Sequence, residues 1–309
     1  MPYHFSILKY CIFIILVCFS GSTLAEKHHA EALSFKTIKV SDHLWMLQGK
    51  GGNIAILTGE QGLLMVDDDY KVMSDALKKE IQHYGGLDKL TYIINTHWHG
   101  DHTEGNLSLG SHALIVAHDS VRTRLLNRQE IKLFKMVSEP YPKDALPTVT
   151  YVKSMKLYMN DEEVEIVHYP QGHTDGDSIV FFKHANVVHT GDHHFSGFFP
   201  FVDIEHGGNV LNMAKNVHSI LAIIDDQTKV IPGHGPLSNK ADLQDFYDML
   251  IGTSAEVQKM IDQKLSLEQI QAKGLSKQWD SWTDGFLSTE VWISIVHSSL
   301  MKDKIKESH

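Results

Sequence analysis

Residues 97–102, His-Trp-His-Gly-Asp-His, constrain this chain more than any other feature, because they place three imidazoles and a carboxylate within six positions. In a helix, positions i and i+2 point to nearly opposite sides, and in a strand His102 would face away from the other three donors. We therefore predict a bent loop that turns all four side chains inward, with Gly100 supplying the backbone freedom. Residues 90–95 have the composition of a short buried strand that leads into this loop.

The donors of this loop are those of a zinc site, because imidazole nitrogen and carboxylate oxygen are ordinary zinc ligands. A solvated polar loop is the alternative, and it would be the expectation for a lone histidine in a chain with 21 of them. Four donors at this spacing favour the metal site. A thiolate site is not expected, because the two cysteines, Cys11 and Cys18, lie in a segment that we expect to be removed.

The first 25 residues have the pattern of a cleavable secretory signal. Lys9 precedes an apolar run over 11–19, and Thr23-Leu24-Ala25 forms a small-residue cleavage site. The apolar run is short for a membrane span of about 20 residues. We predict a periplasmic or secreted protein without a stable membrane span after cleavage. An uncleaved membrane anchor is the alternative.

Composition narrows the partners. The chain has 28 Lys and Arg against 38 Asp and Glu, a formal charge of −10, which argues against a broad nucleic-acid-binding surface. A small-molecule substrate is expected instead, and the oligomeric state is left open.

We predict a signal peptide over 1–25, a catalytic domain over 26–250 and a helical C-terminal extension over 251–309 that packs on the same domain.

The hydrophobic pattern predicts two strand-rich halves, each followed by helices. Helical periodicity covers 72–84, 118–137, 208–224, the region from 240 onward and 288–304. Short strands are expected between 35 and 69, at 90–95 and 113–117, and over 148–152, 155–159, 163–169, 178–183, 186–190 and 228–231. Two sheets packed face to face with helices outside would satisfy this pattern.

Three further donors follow predicted strands of the second half. His173, Asp192 and His234 each lie in a glycine-containing loop, where the backbone can approach a site closely. Each is weak evidence alone. Together with residues 97–102 they give the order HxHxDH, H, D, H. This set resembles the metallo-β-lactamase superfamily of metal-dependent hydrolases over roughly residues 35–250.

The resemblance implies an α/β fold, the αββα sandwich of two mixed β-sheets flanked by helices, and two Zn²⁺ ions per chain. It implies that His97, His99 and His173 bind the first zinc. It also implies that Asp101, His102 and His234 bind the second zinc and that Asp192 bridges both.

The chemistry implied by the resemblance is hydrolysis of an amide or lactam, ester or thioester bond by a metal-bridging hydroxide. Asp101 is the candidate catalytic residue, which would orient the hydroxide and move a proton. Asp192 occupies the position of a cysteine ligand in β-lactamases and matches the bridging aspartate of glyoxalase II. Efficient β-lactam hydrolysis is therefore not the first expectation.

Alternatives remain open. A phosphoesterase or sulfatase could use the same two metals, and a non-hydrolytic metal or redox accessory protein is a third class. His193, His194 and His206 are either pocket residues or polar loop residues, and the aromatic loop 195–201 is either a pocket wall or core packing. Asp67 is either a contact of a metal ligand or part of a solvated turn. The tail aromatics Trp279, Trp282, Phe286 and Trp292 are expected to pack helices.

Overall fold

The computed structural model describes residues 33–307, so the predicted signal peptide lies outside the described residues. Two large β-sheets, one two-stranded sheet and eight α-helices make up the described fold. Among these helices, none combines the length and the apolar composition needed to cross a membrane.

The first sheet has seven strands. In chain order they are β1 (Lys36–Lys39), β2 (Leu44–Gln48), β3 (Ile54–Leu57), β4 (Leu63–Val66), β5 (Leu90–Ile94), β6 (Leu114–His118) and β9 (Val149–Tyr151), and their spatial order is the same. Strands β1 to β4 pair antiparallel, whereas β4, β5, β6 and β9 pair parallel. The sheet is therefore mixed, as predicted.

The second sheet has six strands, also in chain order. They are β10 (Ser154–Met159), β11 (Glu162–His168), β12 (Ser178–Phe182), β13 (Val187–His189), β14 (Lys229–Ile231) and β15 (Ser238–Asn239). Only β13 and β14 pair parallel, and the helix Val210–Ile223 forms the crossover between them.

The helices complete the fold outside the two sheets and in the connections. They are α1 (Ser74–His83), α2 (Gly100–Thr103), α3 (Asn106–Leu109), α4 (Asp119–Leu125), α5 (Val210–Ile223), α6 (Lys240–Asp262), α7 (Leu267–Lys273) and α8 (Thr289–Glu307). Asn239 and Asp242 form a capping box that begins α6, and Ser266 and Gln269 form another that begins α7.

Alternation along the strands explains the layers. In β3, Ala55 and Leu57 join a core shared with Val164 and Val180 of the second sheet. The neighbouring side chains, Ile54 and Ile56, face the opposite way, against Leu77 and other residues of α1. A third core joins the outer face of the second sheet to α5, α6 and α8. This is the predicted αββα sandwich.

The C-terminal region is helical, as predicted. Residue 250 lies within α6, whose Thr253 accepts a hydrogen bond from Trp292 Nε1 of α8 at 3.1 Å. The division of the chain at residue 250 stays a prediction.

One predicted helix is wrong beyond its first turns. Residues 118–137 were expected to be helical, but α4 ends at Leu125. A two-stranded hairpin follows, β7 (Gln129–Ile131) and β8 (Met136–Ser138), which pairs with neither large sheet. Lys135 at its turn has a left-handed φ of 53°. A helix cannot continue through that backbone conformation.

Candidate metal centre

All seven candidate donors lie at one edge of the sandwich, in the segments that follow four strands. His97 and His99 follow β5, Asp101 and His102 lie in α2, and the remaining three, His173, Asp192 and His234, follow β11, β13 and β14. The first half of the chain therefore supplies four donors and the second half three. The structure brings together every donor that the motif predicts.

The four donors His97, His99, His173 and Asp192 form what we call the first donor group. One ligand-type atom from each lies within 4.8 Å of the others, and all four side chains are buried. His173 Nε2 lies 2.8 Å from His99 Nδ1 and 3.2 Å from Asp192 Oδ2. Burial lowers the pKa of His97 well below its ordinary value and that of His173 to about 4. Both imidazoles are therefore neutral, the form that binds metal.

Asp101, His102 and His234 form the second donor group, with ligand-type atoms that also lie within 4.8 Å of one another. Asp101 Oδ2 lies 3.5 Å from His102 Nε2 and 3.2 Å from His234 Nε2. Burial disfavours the charged form of His234, but the carboxylates of Asp192 and Asp101 outweigh burial and raise its pKa to about 9. The two carboxylates therefore favour positive charge at His234.

Asp192 lies between the two groups and turns one carboxylate oxygen to each. Oδ2 is 3.2 Å from His173 Nε2 and 3.8 Å from His97 Nε2, whereas Oδ1 is 3.1 Å from His102 Nε2 and 3.4 Å from His234 Nε2. Burial raises the pKa of Asp192, but the surrounding imidazoles, His102 foremost, hold it well below its ordinary value. The carboxylate is therefore ionised.

Gly233 leaves room for the carboxylate of Asp192 between the two donor groups. A Cβ on Gly233 would lie 2.0 Å from Asp192 Oδ1, so no other residue fits there without a shift of the carboxylate. Gly100 behaves differently from the prediction, because it has no positive φ and begins α2. The inward turn of the motif is made by the segment before Gly100 and by one short helix.

Outer carboxylates hold the imidazoles in place. Asp67 Oδ2 lies 2.7 Å from His102 Nδ1, and its Oδ1 accepts the Thr96 backbone N–H at 2.7 Å. Asp203 Oδ2 lies 3.0 Å from His99 Nε2 and 2.7 Å from His206 Nδ1. Of the two interpretations of Asp67, the structure therefore places it against a candidate ligand, buried at a strand end. His206 contacts Asp203 through Nδ1 and is not a donor of either group.

The other histidines that the sequence left open lie behind the site. His194 Nε2 is 2.9 Å from Ser238 Oγ, and His193 Nε2 is 3.0 Å from Asn216 Nδ2. Both rings are buried, and neither lines the cavity beside the donor groups. They therefore support the loops of the second sheet.

A cavity of about 460 Å³ opens beside the donor groups. Phe195 stacks on His234 with ring centroids 5.0 Å apart, and Phe201 stacks on His99 at 5.8 Å. The aromatic loop 195–201 therefore contributes to the pocket wall as well as to the core. Phe286 lines the cavity although it was expected to pack helices, and it is 53% exposed. Sequence periodicity gave no signal for Phe286, because its place in the wall depends on the tertiary fold.

Comparisons with known proteins agree with this fold. The profile of the metallo-beta-lactamase superfamily matches residues 48–234. A probable metallo-hydrolase of Methanocaldococcus jannaschii is 25% identical over 199 residues, which cover 62% of this chain and 91% of that protein. A beta-lactamase-like protein 2 homolog of Caenorhabditis elegans is 22% identical over 213 residues, with 65% and 64% of the two chains covered.

Solved structures show the same fold at low identity. A stereoselective inverting sec-alkylsulfatase from Pseudomonas sp. superimposes with a TM-score of 0.63 at 16% identity over 85% of this chain, which spans half of the sulfatase. A metallo-beta-lactamase from Pontibacter korlensis gives a TM-score of 0.56 at 15% identity, over 70% of this chain and 99% of that one.

Proposed function

The chain belongs to the metallo-β-lactamase superfamily, and on that premise we propose that it is an exported hydrolase with two zinc ions. Its reaction would be hydrolysis of an amide or lactam, ester or thioester bond in a small molecule. Export rests on the signal pattern of residues 1–25. When bound, the two zinc ions would polarise the substrate carbonyl and lower the pKa of water.

The single observation that carries this proposal is the divided carboxylate of Asp192. One oxygen faces the first donor group and the other faces the second, each within 3.2 Å of at least one imidazole nitrogen. A carboxylate shared in this way is suited to bridging two ions. The first zinc would be held by His97, His99 and His173, the second by Asp101, His102 and His234, and both by Asp192.

Orphaned polar atoms also fit two cations. Within residues 33–307, His97 Nε2 is buried without a hydrogen-bond partner, and the buried Asp192 Oδ1 faces the ring nitrogens of His102 and His234. His99 Nδ1 and His173 Nε2 lie 2.8 Å apart, and in both rings the other nitrogen contacts an outer oxygen. If those outer nitrogens carry the protons, two lone pairs face each other, which is favourable only beside a cation.

Asp101 is the residue that we assign to proton handling. Its side chain is 17% exposed and lines the cavity, whereas that of Asp192 is only 4% exposed. Burial raises the pKa of Asp101, but His102 and His234 lower it to about 2, so the carboxylate is ionised at neutral pH. An ionised carboxylate at the cavity surface can accept a proton from water and pass it to a leaving group.

A sulfatase is the second candidate. The alkylsulfatase fold matches 85% of this chain, against 70% for the lactamase structure. The same two cations would stabilise the charge of a sulfate ester.

Zinc analysis and a substrate panel test these proposals. We expect about two zinc ions per chain, and turnover of at least one chromogenic lactam, ester or thioester. Turnover of sulfate esters alone would favour the second candidate. Zinc binding without any turnover would overturn both in favour of an accessory protein.

Asp101→Asn tests the assigned role. If zinc content is retained, we expect a loss of about 10²- to 10⁴-fold in kcat, the usual contribution of a general acid or base. Asp161→Asn is a matched control, because Asp161 is exposed and lies at the β10–β11 turn, at the opposite end of β11 from His173. Unimpaired turnover by zinc-loaded Asp101→Asn would contradict the role.

A further inference from the structure

The cavity beside the donor groups is lined by both polar and apolar side chains. Its polar lining includes Lys50, Tyr70 and Asp101 together with the imidazoles. Its apolar lining, which we call the apolar wall, consists of Ile131, Phe134, Met136, Phe195, Phe201 and Phe286. Among the described lining residues, Lys50 is the only lysine or arginine. The cavity therefore offers little charge to a polyanionic substrate and a large surface to a hydrocarbon.

The β7–β8 hairpin supplies half of the apolar wall. Its turn carries Phe134 across the cavity mouth, with ring centroids 4.9 Å from Phe201 and 6.1 Å from Phe286. Lys132 Nζ, at the same turn, lies 2.7 Å from Glu205 Oε1 and ties the hairpin to the far side. These contacts hold the hairpin beside the cavity.

The hairpin leaves apolar surface open to solvent at the mouth. Phe134 is 36% exposed and Met136 38% exposed, beside the exposed Phe286. Exposed apolar side chains are ordinary when scattered, but a cluster around a concave site marks a binding surface. Phe134, Met136 and Phe286 are not buried in the hydrophobic core, so core packing does not account for them.

The apolar surface continues past the cavity. A second cavity of about 370 Å³ shares Ile131 and Phe201 with the first and is lined further by the apolar Leu133, Ile204 and Ile295 and by polar residues that include Lys132, Asp203 and Glu205. A hydrocarbon chain that starts at the donor groups would meet apolar side chains along both cavities. The group that fits this surface is a hydrocarbon chain that belongs to the substrate.

We propose that the substrate carries an extended hydrocarbon chain, which lies against the β7–β8 hairpin while its cleavable bond lies at the donor groups. This inference rests on the proposed hydrolase function and names the substrate class of the same site. The hairpin is then the element that determines specificity, with Phe134 and Met136 as its contact residues.

Hydrolysis of p-nitrophenyl acetate and p-nitrophenyl octanoate by the zinc-loaded protein tests the inference. A buried methylene is worth about fourfold in binding, so we expect kcat/KM to be at least about tenfold higher for the octanoate. Phe134→Ala and Met136→Ala should each lower the ratio of kcat/KM for the octanoate to kcat/KM for the acetate by about tenfold. This is the effect expected for the loss of one to two buried methylene groups. A ratio that does not change with the variants would overturn the proposal.

Val137→Ala is the matched control on the same hairpin. Val137 follows Met136 in β8, is 48% exposed and does not line the cavity. We expect its octanoate-to-acetate ratio to equal that of the wild type. An equal fall in all three variants would show a general loss of hairpin structure and would contradict a contact role for Met136.

A binding measurement separates this inference from the proposed function. Calorimetric titration of the zinc-loaded protein with acetohydroxamate and octanohydroxamate compares two chelating head groups that differ only in their chain. Tighter binding of octanohydroxamate, lost in Met136→Ala and kept in Val137→Ala, would support the chain site even if no ester is hydrolysed. Equal affinities for the two hydroxamates would overturn the inference, even in a protein that hydrolyses p-nitrophenyl acetate well.

Discussion

The histidines of the first donor group present different ring nitrogens, and their outer contacts decide which. His99 contacts Asp203 through Nε2 and turns Nδ1 inward. His173 contacts the Phe201 carbonyl oxygen through Nδ1 and turns Nε2 inward. An outer oxygen that accepts the ring N–H fixes both the tautomer and the orientation of the ring. The residues behind the donors therefore prepare the site as much as the donors do.

Asp67 provides the sharpest test of this layer. Its two oxygens contact His102 Nδ1 and two groups of Thr96, and its φ of 61° is left-handed. Asp67→Asn keeps that backbone, because asparagine tolerates it, but offers one oxygen in place of two. We expect zinc affinity to fall about 10- to 100-fold, measured by competition with a chromogenic chelator.

The control for this prediction is again Asp161→Asn. Asp161 is exposed and has a φ of 56°, so the same exchange is made on the same backbone away from the site. Its zinc affinity should match the wild type. An Asp67→Asn protein that binds zinc as tightly as the control would show that the outer carboxylate is dispensable.

At the scale of elements, the sequence predicted strands and the donor motif well and the cavity wall poorly. Strands such as β12 are buried throughout and have a continuous apolar pattern, so they are visible in the sequence. The β7–β8 hairpin is not, because its apolar residues face a cavity and solvent instead of a packed layer. The turn at Lys135 has no glycine, so the sequence contains no sign of its left-handed backbone.

The same reasoning explains why the motif predicts the donors but not the residues around them. The motif predicts donors because metal chemistry restricts residue types and spacing. Asp203 and Phe286 reach the site from distant segments, and nothing in their local sequence distinguishes them. Asp203 lies 3.0 Å from His99 Nε2, a contact that only the tertiary fold creates.

A stacked histidine pair joins the two sheets at the ends of β6 and β11. The rings of His118 and His168 lie 3.7 Å apart at 12°. Burial lowers the pKa of both below the ordinary value of 6.5, although nearby carboxylates, Asp175 among them, favour the charged forms. The folded protein therefore prefers the neutral pair. The unfolded chain binds more protons as pH falls through 6.5 toward the folded pKa values.

Acidification should consequently destabilise the fold through this pair, whose stability is complete above about pH 6.5 and decreases below it. His168→Asn keeps a donor for the Asp177 carbonyl, which His168 Nδ1 contacts at 2.8 Å, but cannot take up a proton. We expect its free energy of unfolding to fall less steeply with decreasing pH than that of the wild type, measured by urea denaturation. His218→Asn, an exposed exchange on α5, should leave the slope unchanged. Equal slopes in all three proteins would refute the coupling.

At the scale of the whole molecule, the donor groups connect the two halves of the sandwich. His97, His99, Asp101 and His102 come from the first half, and His173, Asp192 and His234 come from the second. Each donor group contains residues from both halves. Two ions held in this way would add a cross-link to the apolar packing and the hydrogen bonds that already join the sheets. Zinc binding should therefore stabilise the fold as a unit.

Chelation tests this coupling. A ligand that binds only the folded state at 100 times its Kd adds about 2.7 kcal/mol of stability, so removal of zinc should lower the Tm by several degrees. Differential scanning calorimetry of the zinc-loaded and chelated protein measures the shift. Asp192→Ala removes the one donor that faces both groups, and its Tm should respond much less to the chelator. A wild-type Tm that is the same with and without zinc would mean that the sandwich is complete without its ions.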